Sequence, residues 1–279
     1  MRIVTFNVNG IRSMSGKNKA GKPTGSEEEI GLCQLVKENE VDILCLQEIK
    51  TQSEGDLAFL RELLPYGDAC YCSRKKGYSG VALLSTIQPE WISYGFDLFH
   101  EDRIGQYRDW EVEQEGRLIC AMFSNCVVVT VYVPNAQPSL VRIDDRMRWD
   151  QLLRNYMNEL RKEFGLPIVV CGDFNVAPED RDIHRKQPKQ TPGTSKEERD
   201  GFQGFMADSW LDAYRLLHPD GVGDYTYWSN FRNSREQNKG WRIDLFILSP
   251  DLRDKVTMVS VLSNYHGSDH GAVLLEWID

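Results

Sequence analysis

The segment PIVVCGDFN, residues 167–175, joins a short apolar run to two polar residues at its end. Positions 168–171 are apolar without interruption, which is typical of a strand buried on both faces of a sheet. Asp173 and Asn175 follow at the point where a strand of this length ends. The segment therefore predicts a covered β-sheet that presents polar side chains at one edge.

Seven other runs have the same strand-like character. They are RIVTFNV (2–8), VDILCLQE (41–48), GVALLS (80–85), LICAMF (118–123), CVVVTVYVP (126–134), DLFILS (244–249) and AVLLEW (272–277). Helical spacing of apolar residues appears at 27–39, 144–164 and 195–206. The loop-like stretches at 13–25 and 178–195 do not divide this pattern into independent halves. We therefore expect residues 1–279 to form one domain of the α/β (α+β) class, built on packed sheets.

Composition excludes several classes of protein. With 279 residues, 41% of them hydrophobic and 27% charged, the chain can bury a full core and is not typical of a disordered protein. The formal net charge of −9 does not indicate a protein that coats DNA. No apolar run approaches the ~18 residues of a membrane helix, and the first residues lack the layout of a signal peptide.

The seven cysteines are odd in number and lie mostly within apolar runs. This usage is typical of reduced thiols in a protein core. We therefore expect an intracellular, reducing compartment and no contact with a membrane.

Oxygen-bearing side chains follow several predicted strands. Asn9 comes shortly after the first, Glu48 ends the second, and Asp269 precedes the last. Each alone could be a surface or capping group, but together they are the hard ligands that suit Mg²⁺ or Mn²⁺. Cysteine and histidine spacing of the zinc type is absent, as are the sequence motifs of serine hydrolases and P-loop proteins.

Asp244 differs from the other carboxylates because it lies inside the run WRIDLFIL (241–248), flanked by apolar residues. A buried carboxylate needs a partner, and His270 is a natural one, since such a pair fixes the tautomer of the imidazole. A purely structural hydrogen bond between the two is the alternative.

Basic residues cluster in several predicted loops and at the start of one predicted helix, and one of these clusters is interleaved with aromatic residues. The clusters are Arg74–Lys76; Arg142, Arg146 and Arg148; Arg181, Arg185, Lys186 and Lys189; and Arg232, Arg235, Lys239 and Arg242, which lie among Tyr227, Trp228, Phe231 and Trp241. Each cluster alone could be a solvated surface. Together they favour contact with a nucleic acid backbone and with a base or sugar.

Ordered motifs along the chain resemble one family. They are FNVNGIR (6–12), CLQEIK (45–50), GYSGVALLS (77–85), EGR (115–117), VYVPNA (131–136), CGDFNVAPEDRDI (171–183), YTYWSN (225–230), GWRIDLFILS (240–249) and GSDHGAVLL (267–275). The chain resembles the exonuclease III type (class II) apurinic/apyrimidinic endonucleases, which belong to the endonuclease/exonuclease/phosphatase superfamily with deoxyribonuclease I. This resemblance implies a four-layered α/β sandwich of two packed β-sheets flanked by helices, with the active site at the sheet ends.

The resemblance also implies a role for each matching position. The implied catalytic residues are Asp173, Asn175, His270, Asp244, Tyr132 and Asn135. The implied metal site, with Glu48 as principal ligand of Mg²⁺ (or Mn²⁺), comprises Glu48, Asp269, Asn9, Asn7, Asp173, Asn175 and His270. The implied substrate-binding residues are Arg12, Tyr78, Arg117, Arg142, Tyr227, Phe231 and Trp241. Of these, Tyr227, Phe231 and Trp241 would wall the pocket for an abasic deoxyribose, and the others would grip the DNA backbone.

The expected function is therefore Mg²⁺-dependent hydrolysis of the phosphodiester 5′ to abasic sites in duplex DNA, with 3′-phosphodiesterase and 3′→5′ exonuclease activity. The expected partner is DNA with abasic or 3′-blocked lesions, and the expected state is a monomer. One alternative is a superfamily phosphodiesterase that acts on RNA or a phosphoinositide. Another is an inactive module that only binds DNA.

Overall fold

The protein is described by a computed structural model over residues 1–15, 31–108, 110–185 and 191–278. Its strands are β1 (Arg2–Asn7), β2 (Ile43–Gln47), β3 (Tyr66–Cys70), β4 (Val81–Ser85), β5 (Trp91–Tyr94), β6 (Leu118–Met122), β7 (Val127–Tyr132), β8 (Ile168–Asp173), β9 (Leu211–Asp212), β10 (Asp244–Leu248), β11 (Val256–Leu262) and β12 (Ala272–Trp277). Its α-helices are α1 (Ile11–Met14), α2 (Gly31–Glu38), α3 (Glu101–Ile104), α4 (Ile143–Phe164), α5 (Lys196–Ala207) and α6 (Ala213–Leu217).

The strands form two six-stranded sheets of matching design. Sheet one has the order β11-β12-β1-β2-β4-β3, and sheet two has the order β5-β6-β7-β8-β10-β9. Each sheet contains one parallel pair at its centre, β1 with β2 and β7 with β8, and the other neighbours are antiparallel. Two mixed sheets flanked by helices confirm the predicted four-layered sandwich.

The core has three apolar layers because both faces of each sheet are covered. The inner faces of the two sheets pack against each other through residues such as Ile43, Ile119 and Phe246. The outer face of sheet one packs on α2, and the outer face of sheet two packs on α4 and α5. The central strands are therefore apolar at nearly every position, as the sequence indicated.

Apolar periodicity and capping residues in the sequence account for the longer helices. In α4, Trp149, Leu153, Tyr156 and Leu160 recur at helical spacing and are fully buried. At the start of α5, Ser195 and Glu198 form a reciprocal capping box. The helix predicted at 27–39 is present from 31 to 38, and its first four predicted positions lie outside the described residues.

A buried ion-pair network anchors the loop that follows β8. Arg242 is only 3% exposed, and its guanidinium lies 2.7 Å from carboxylate oxygens of both Asp182 and Asp212. Because Arg242 follows Trp241 directly, this network also fixes the backbone next to that indole.

All seven cysteines are reduced thiols, as expected. Across the described ranges, no helix combines the length and apolarity of a membrane span.

Candidate active site

The candidate site is a cleft where the central strands of both sheets end. The carboxyl ends of β1, β2, β7 and β8 meet at one edge, and β10 and β12 begin there because they run antiparallel. The cleft has a volume of about 640 Å³. It is lined by Asn9, Glu48, Tyr132, Asn135, Gln137, Asp173, Asn175, Pro192, Gly193, Tyr227, Ser229, Lys239, Trp241, Ile243, Asp269 and His270.

Asn7, the last residue of β1, joins the two sheets at the base of this cleft. Its Nδ2 donates to Glu48 Oε1 and to Asp173 Oδ2, both at 2.9 Å. Its Oδ1 accepts the backbone N–H of Asn9 at 3.0 Å. The amide nitrogen thus faces the carboxylates, so Asn7 acts here as a hydrogen-bond donor, and its expected place among the metal ligands stays a prediction.

Glu48 lies in the loop directly after β2 and faces a cationic neighbour. Its Oε2 lies 2.7 Å from Lys50 Nζ, which also donates to Asn9 Oδ1. Burial works to raise the pKa of Glu48, but the Lys50 ammonium and the Asn7 amide outweigh it, and the pKa falls below its ordinary value. Glu48 is therefore ionised and able to bind a cation. Lys50 belongs to the CLQEIK motif, but sequence reasoning did not single it out.

Asp269 approaches the same cluster from the segment before β12. Its Oδ1 accepts a hydrogen bond of 2.9 Å from Asn9 Nδ2. Ser268 secures this segment by donating from Oγ to the backbone carbonyl of Asn7 at 2.6 Å. Glu48, Asn9 and Asp269, which the sequence predicted as ligands, are thus brought together. Ser268 was not predicted, although it lies within the quoted GSDHGAVLL motif.

Asp173 ends β8 and accepts hydrogen bonds from three donors. Asn175 donates its backbone N–H to Oδ1 at 2.8 Å, and Asn7 donates to Oδ2. Asn175 also donates from Nδ2 at 3.4 Å, and its own Oδ1 accepts from Asn135 Nδ2 at 2.9 Å. The side-chain oxygen of Asn175 thus accepts from Asn135, and its expected role as a metal ligand, like that of Asn7, stays a prediction. Burial, together with the nearby Asp244, raises the pKa of Asp173.

His270 and Asp244 form the predicted pair. Nδ1 of the imidazole lies 2.8 Å from Asp244 Oδ2, and both side chains are almost completely buried. Burial works to lower the pKa of His270, but Asp244, with smaller effects of Asp173 and Asp269, raises it to about 10. The ring therefore directs Nδ1 to Asp244 as a charged hydrogen-bond donor, and its expected place among the metal ligands stays a prediction.

The residues present fit a divalent metal ion. Potential ligand atoms of Glu48, Asp173 and His270 lie within 4.8 Å of one another. His270 uses Nδ1 for its hydrogen bond with Asp244. The oxygen atoms of Glu48, Asp173, Asp269 and Asn9 are therefore the ligand atoms available to a cation. Such hard oxygens suit an ion of the Mg²⁺ or Mn²⁺ type.

Two aromatic side chains form one wall of the cleft. Tyr227 and Trp241 make an edge-to-face contact with ring centroids 6.5 Å apart, and the Tyr227 ring lies 5.0 Å from that of His270. Gly193 lies against the indole, since a Cβ at this position would approach Trp241 Cζ3 to 3.0 Å. The wall therefore places apolar surface directly beside the polar cluster.

Phe231 does not belong to this wall. Its side chain is 66% exposed and lies against Arg232, with no part in the lining of the cleft. Phe231 therefore lies outside the residues that line the cleft, and its expected role in the pocket wall stays a prediction. A sequence shows that an aromatic residue occurs in a loop, but it does not show which way the loop turns.

A chain of hydrogen bonds lies behind Tyr132. Arg117 is 2% exposed; its guanidinium donates to the Tyr132 carbonyl and to the Tyr78 hydroxyl, both at 3.0 Å, and pairs with Glu115. Arg142 donates to the same Tyr78 hydroxyl at 3.3 Å. With this packing Arg117 supports Tyr78 and Tyr132 from within, and its expected contact with the DNA backbone stays a prediction.

Tyr132, Asn135, Tyr227 and Trp241 line the cleft. Tyr78 and Arg142 are half-buried beside it, and Arg12 is exposed and paired with Asp56 at 2.8 Å. Burial, with a smaller effect of Glu48, raises the pKa of Tyr132 well above its ordinary value, so this phenol remains protonated.

Comparison with known proteins defines the class. Residues 4–270 match the sequence profile of the Endonuclease/Exonuclease/phosphatase family, and the chain belongs to that family.

Within it, the chain is 35% identical over 278 residues to an exodeoxyribonuclease of Bacillus subtilis (strain 168), covering 99% of this chain and 98% of the relative. It is 36% identical over 280 residues to the DNA repair nuclease APEX1 of Danio rerio, covering 99% and 81%. The structure superposes on an AP endonuclease from Archaeoglobus fulgidus with a TM-score of 0.78, 25% identity and full coverage of both chains. These relatives confirm the resemblance drawn from the motifs.

Proposed function

We propose that this protein is a Mg²⁺-dependent DNA-repair nuclease that hydrolyses the phosphodiester 5′ to abasic sites, with 3′-phosphodiesterase and 3′→5′ exonuclease activity at the same cleft. It would act as a monomer on duplex DNA with abasic or 3′-blocked lesions. The observation that carries the proposal is the juxtaposition of the Asp173 and His270–Asp244 groups with the Tyr227–Trp241 wall in one cleft.

Glu48 and Asp269, with Asn9, would hold Mg²⁺. When bound, the ion neutralises charge on the phosphate and on the leaving 3′ oxygen. Lys50 keeps a positive charge next to Glu48 in its absence. The three carboxylates of Glu48, Asp173 and Asp269 in one cleft repel one another without such a counter-charge, which favours a cation-binding role.

The protein groups divide the remaining chemistry. Asp173, oriented by Asn7 and Asn175, is placed to accept a proton from the attacking water. His270 directs Nδ1 to Asp244, which leaves Nε2 to donate to a phosphate oxygen. Tyr132 and Asn135 would contact the phosphate, since both line the cleft.

The aromatic wall would select the damaged nucleotide. An abasic deoxyribose has no base to unstack, so extruding it from the duplex costs less than flipping an intact nucleotide. Tyr227 and Trp241 would pack against the sugar and leave little room for a base. Arg12, Tyr78 and Arg142 would contact the flanking backbone, where sequence is not specified.

The test is a panel of abasic, 3′-blocked, uracil-containing and undamaged duplexes, assayed with Mg²⁺ and with EDTA. We expect Mg²⁺-dependent incision of the abasic duplex and a loss of about 100- to 10,000-fold in Asp173→Asn. Asp208→Asn is the control, because this carboxylate pairs with Arg154 and does not line the cleft.

Three results would contradict the proposal. Equal turnover of intact and abasic DNA, or turnover of RNA or a phosphoinositide, would favour another phosphodiesterase. DNA binding without turnover would favour a binding module. Unchanged incision by Asp173→Asn would remove Asp173 from the mechanism.

A further inference from the structure

Arg235 makes an unusual set of contacts in the loop between Trp228 and Trp241. Its Nη1 donates to the carbonyls of Ser268 at 2.8 Å and His270 at 3.3 Å. Its Nη2 donates to the carbonyls of Ser263 at 2.9 Å and Tyr265 at 3.0 Å. All four acceptors belong to the segment 263–270, which connects β11 to β12 and ends at Asp269 and His270.

This segment has no regular secondary structure of its own, so its backbone groups depend on partners from elsewhere. The guanidinium of Arg235 also lies over the Trp228 ring at 4.7 Å. Trp228 in turn donates its backbone N–H to the Asp269 carbonyl at 2.9 Å. Arg235 and Trp228 thus hold the segment from the side that faces away from the cleft.

Arg235 does not line the cleft itself. It lines a neighbouring cavity of about 540 Å³ with Trp228 and His266. A direct contact of Arg235 with a phosphate in the cleft is therefore not part of this geometry. Any effect of Arg235 on the reaction has to pass through the backbone of the segment 263–270.

We propose that Arg235 is a positioning residue that fixes Asp269 and His270 by clamping the backbone of the segment 263–270. This inference rests on the proposed function, because it gives Arg235 its effect through a metal ligand and a phosphate donor. Partners that orient ligands in this way typically change metal affinity or activity by about 10- to 100-fold when they are removed.

The clamp depends on the shape of the side chain and not only on its charge. A guanidinium is planar and presents several N–H donors in a fixed fork, whereas a lysine ammonium is a single point on a flexible stem. Lysine at position 235 would keep the positive charge near Asp269 but could not reach four carbonyls with one planar group. The pair Arg235→Lys and Arg235→Gln therefore separates charge from geometry.

The chain offers a matched control in Arg161. Its guanidinium also lies over an indole, that of Trp210 at 5.5 Å, and donates to a backbone carbonyl, that of Asp208 at 3.0 Å. These contacts belong to the outer helix layer and do not involve the cleft. Arg161→Lys and Arg161→Gln thus reproduce the loss of a stacked guanidinium without disturbing the segment 263–270.

The experiment combines hydrogen exchange of the metal-free protein, Mn²⁺ affinity by electron paramagnetic resonance, and steady-state kinetics on an abasic duplex. We expect Arg235→Lys and Arg235→Gln to speed exchange in peptides covering 263–271, to weaken Mn²⁺ binding about tenfold and to lower kcat about 10- to 100-fold with KM unchanged. The Arg161 variants should leave the exchange of peptides covering 263–271, the Mn²⁺ affinity and kcat unchanged. If Arg235→Gln does not fold, Arg235→Lys alone carries the test.

Several outcomes would overturn the proposal. Unchanged exchange and Mn²⁺ affinity in both Arg235 variants would show that the clamp does not position the segment. Full activity of Arg235→Lys with loss in Arg235→Gln would show that charge alone matters, and a change confined to KM would show a direct DNA contact. If the unaltered protein fails to incise abasic DNA, the proposed function fails. Hydrogen exchange and Mn²⁺ affinity would still test whether Arg235 positions the segment 263–270.

Discussion

Replacing Asn7 by aspartate removes the amide that joins the two sheets at the base of the cleft and adds a third carboxylate there. The amide donates to Glu48 and Asp173 at 2.9 Å each, and Asn7 is fully buried. Hydrogen bonds to charged groups contribute about 1.5–3 kcal/mol each, so their loss alone costs about 3–6 kcal/mol. Repulsion among the carboxylates adds to this cost and is relieved in part by uptake of a proton.

A divalent cation should reverse part of this loss. The third carboxylate increases the negative charge around the ion, and binding to the folded state raises the free energy of unfolding. We expect urea unfolding of Asn7→Asp to show a deficit of at least about 3 kcal/mol in EDTA. We also expect the gain in unfolding free energy upon adding Mn²⁺ to exceed that of the unaltered protein.

Two further variants separate the loss of the hydrogen bonds from the effect of the added charge. Asn7→Ala removes the donor without adding charge, so its deficit should persist in Mn²⁺. Asn158→Asp is the matched control: Asn158 donates to Asp208 in the same way, but Arg154 lies beside that carboxylate and the site is outside the cleft. An EDTA stability of Asn7→Asp within 1 kcal/mol of the unaltered protein, or an equal gain from Mn²⁺ in both, would refute the reasoning.

Three further predictions concern other parts of the fold. Burial raises the pKa of Glu113 to about 7, so the contribution of this side chain to stability is full below pH 4.5 and is lost as the pH rises through 7. The free energy of unfolding should therefore fall by about 3 kcal/mol between pH 4.5 and pH 8, and Glu113→Gln should abolish this fall. Arg242→Leu should cost about 3–5 kcal/mol in urea unfolding, because it leaves its two carboxylate partners buried without a counter-charge. Gly193→Ala should push Trp241 into the cleft and reduce the preference for abasic over intact duplex in competition assays, at a stability cost of about 1–3 kcal/mol, since Gly193 has φ +82°.

The sequence predicted the interior of both sheets but not their edges. The eight predicted strands are the inner strands β1, β2, β4, β6, β7, β8, β10 and β12. The four strands of the described residues that it did not predict, β3, β5, β9 and β11, are the two edges of each sheet. An edge strand pairs on one side only and is less buried, as in YGDAC of β3 and WISY of β5, so its apolar signal is weak.

The same physical difference separates the site residues that could be predicted from those that could not. Residues that end an inner strand or directly follow it, such as Asp173 and Glu48, are positioned by the sheet. Phe231 and Arg117 depend on the path of a loop and on whether a side chain turns inward, and no local pattern encodes either. The donor or ligand role of Asn7 depends on which way its amide points, and that is settled by neighbours far apart in sequence.

The backbone itself shows that the site geometry is imposed by the surrounding fold. Asn9, Glu48 and Asn175, which follow β1, β2 and β8, have positive φ values of 46°, 50° and 49°. Asparagine tolerates this conformation, but glutamate does so at a cost of about 1–3 kcal/mol. The turn at Glu48 is held by backbone bonds from Gly10 to Glu48 at 2.8 Å and from Ile49 to Gly80 at 3.1 Å. Because the buried strands on either side fix these bonds, Glu48 is held toward the cleft before any cation arrives, and a cation need not order it on binding.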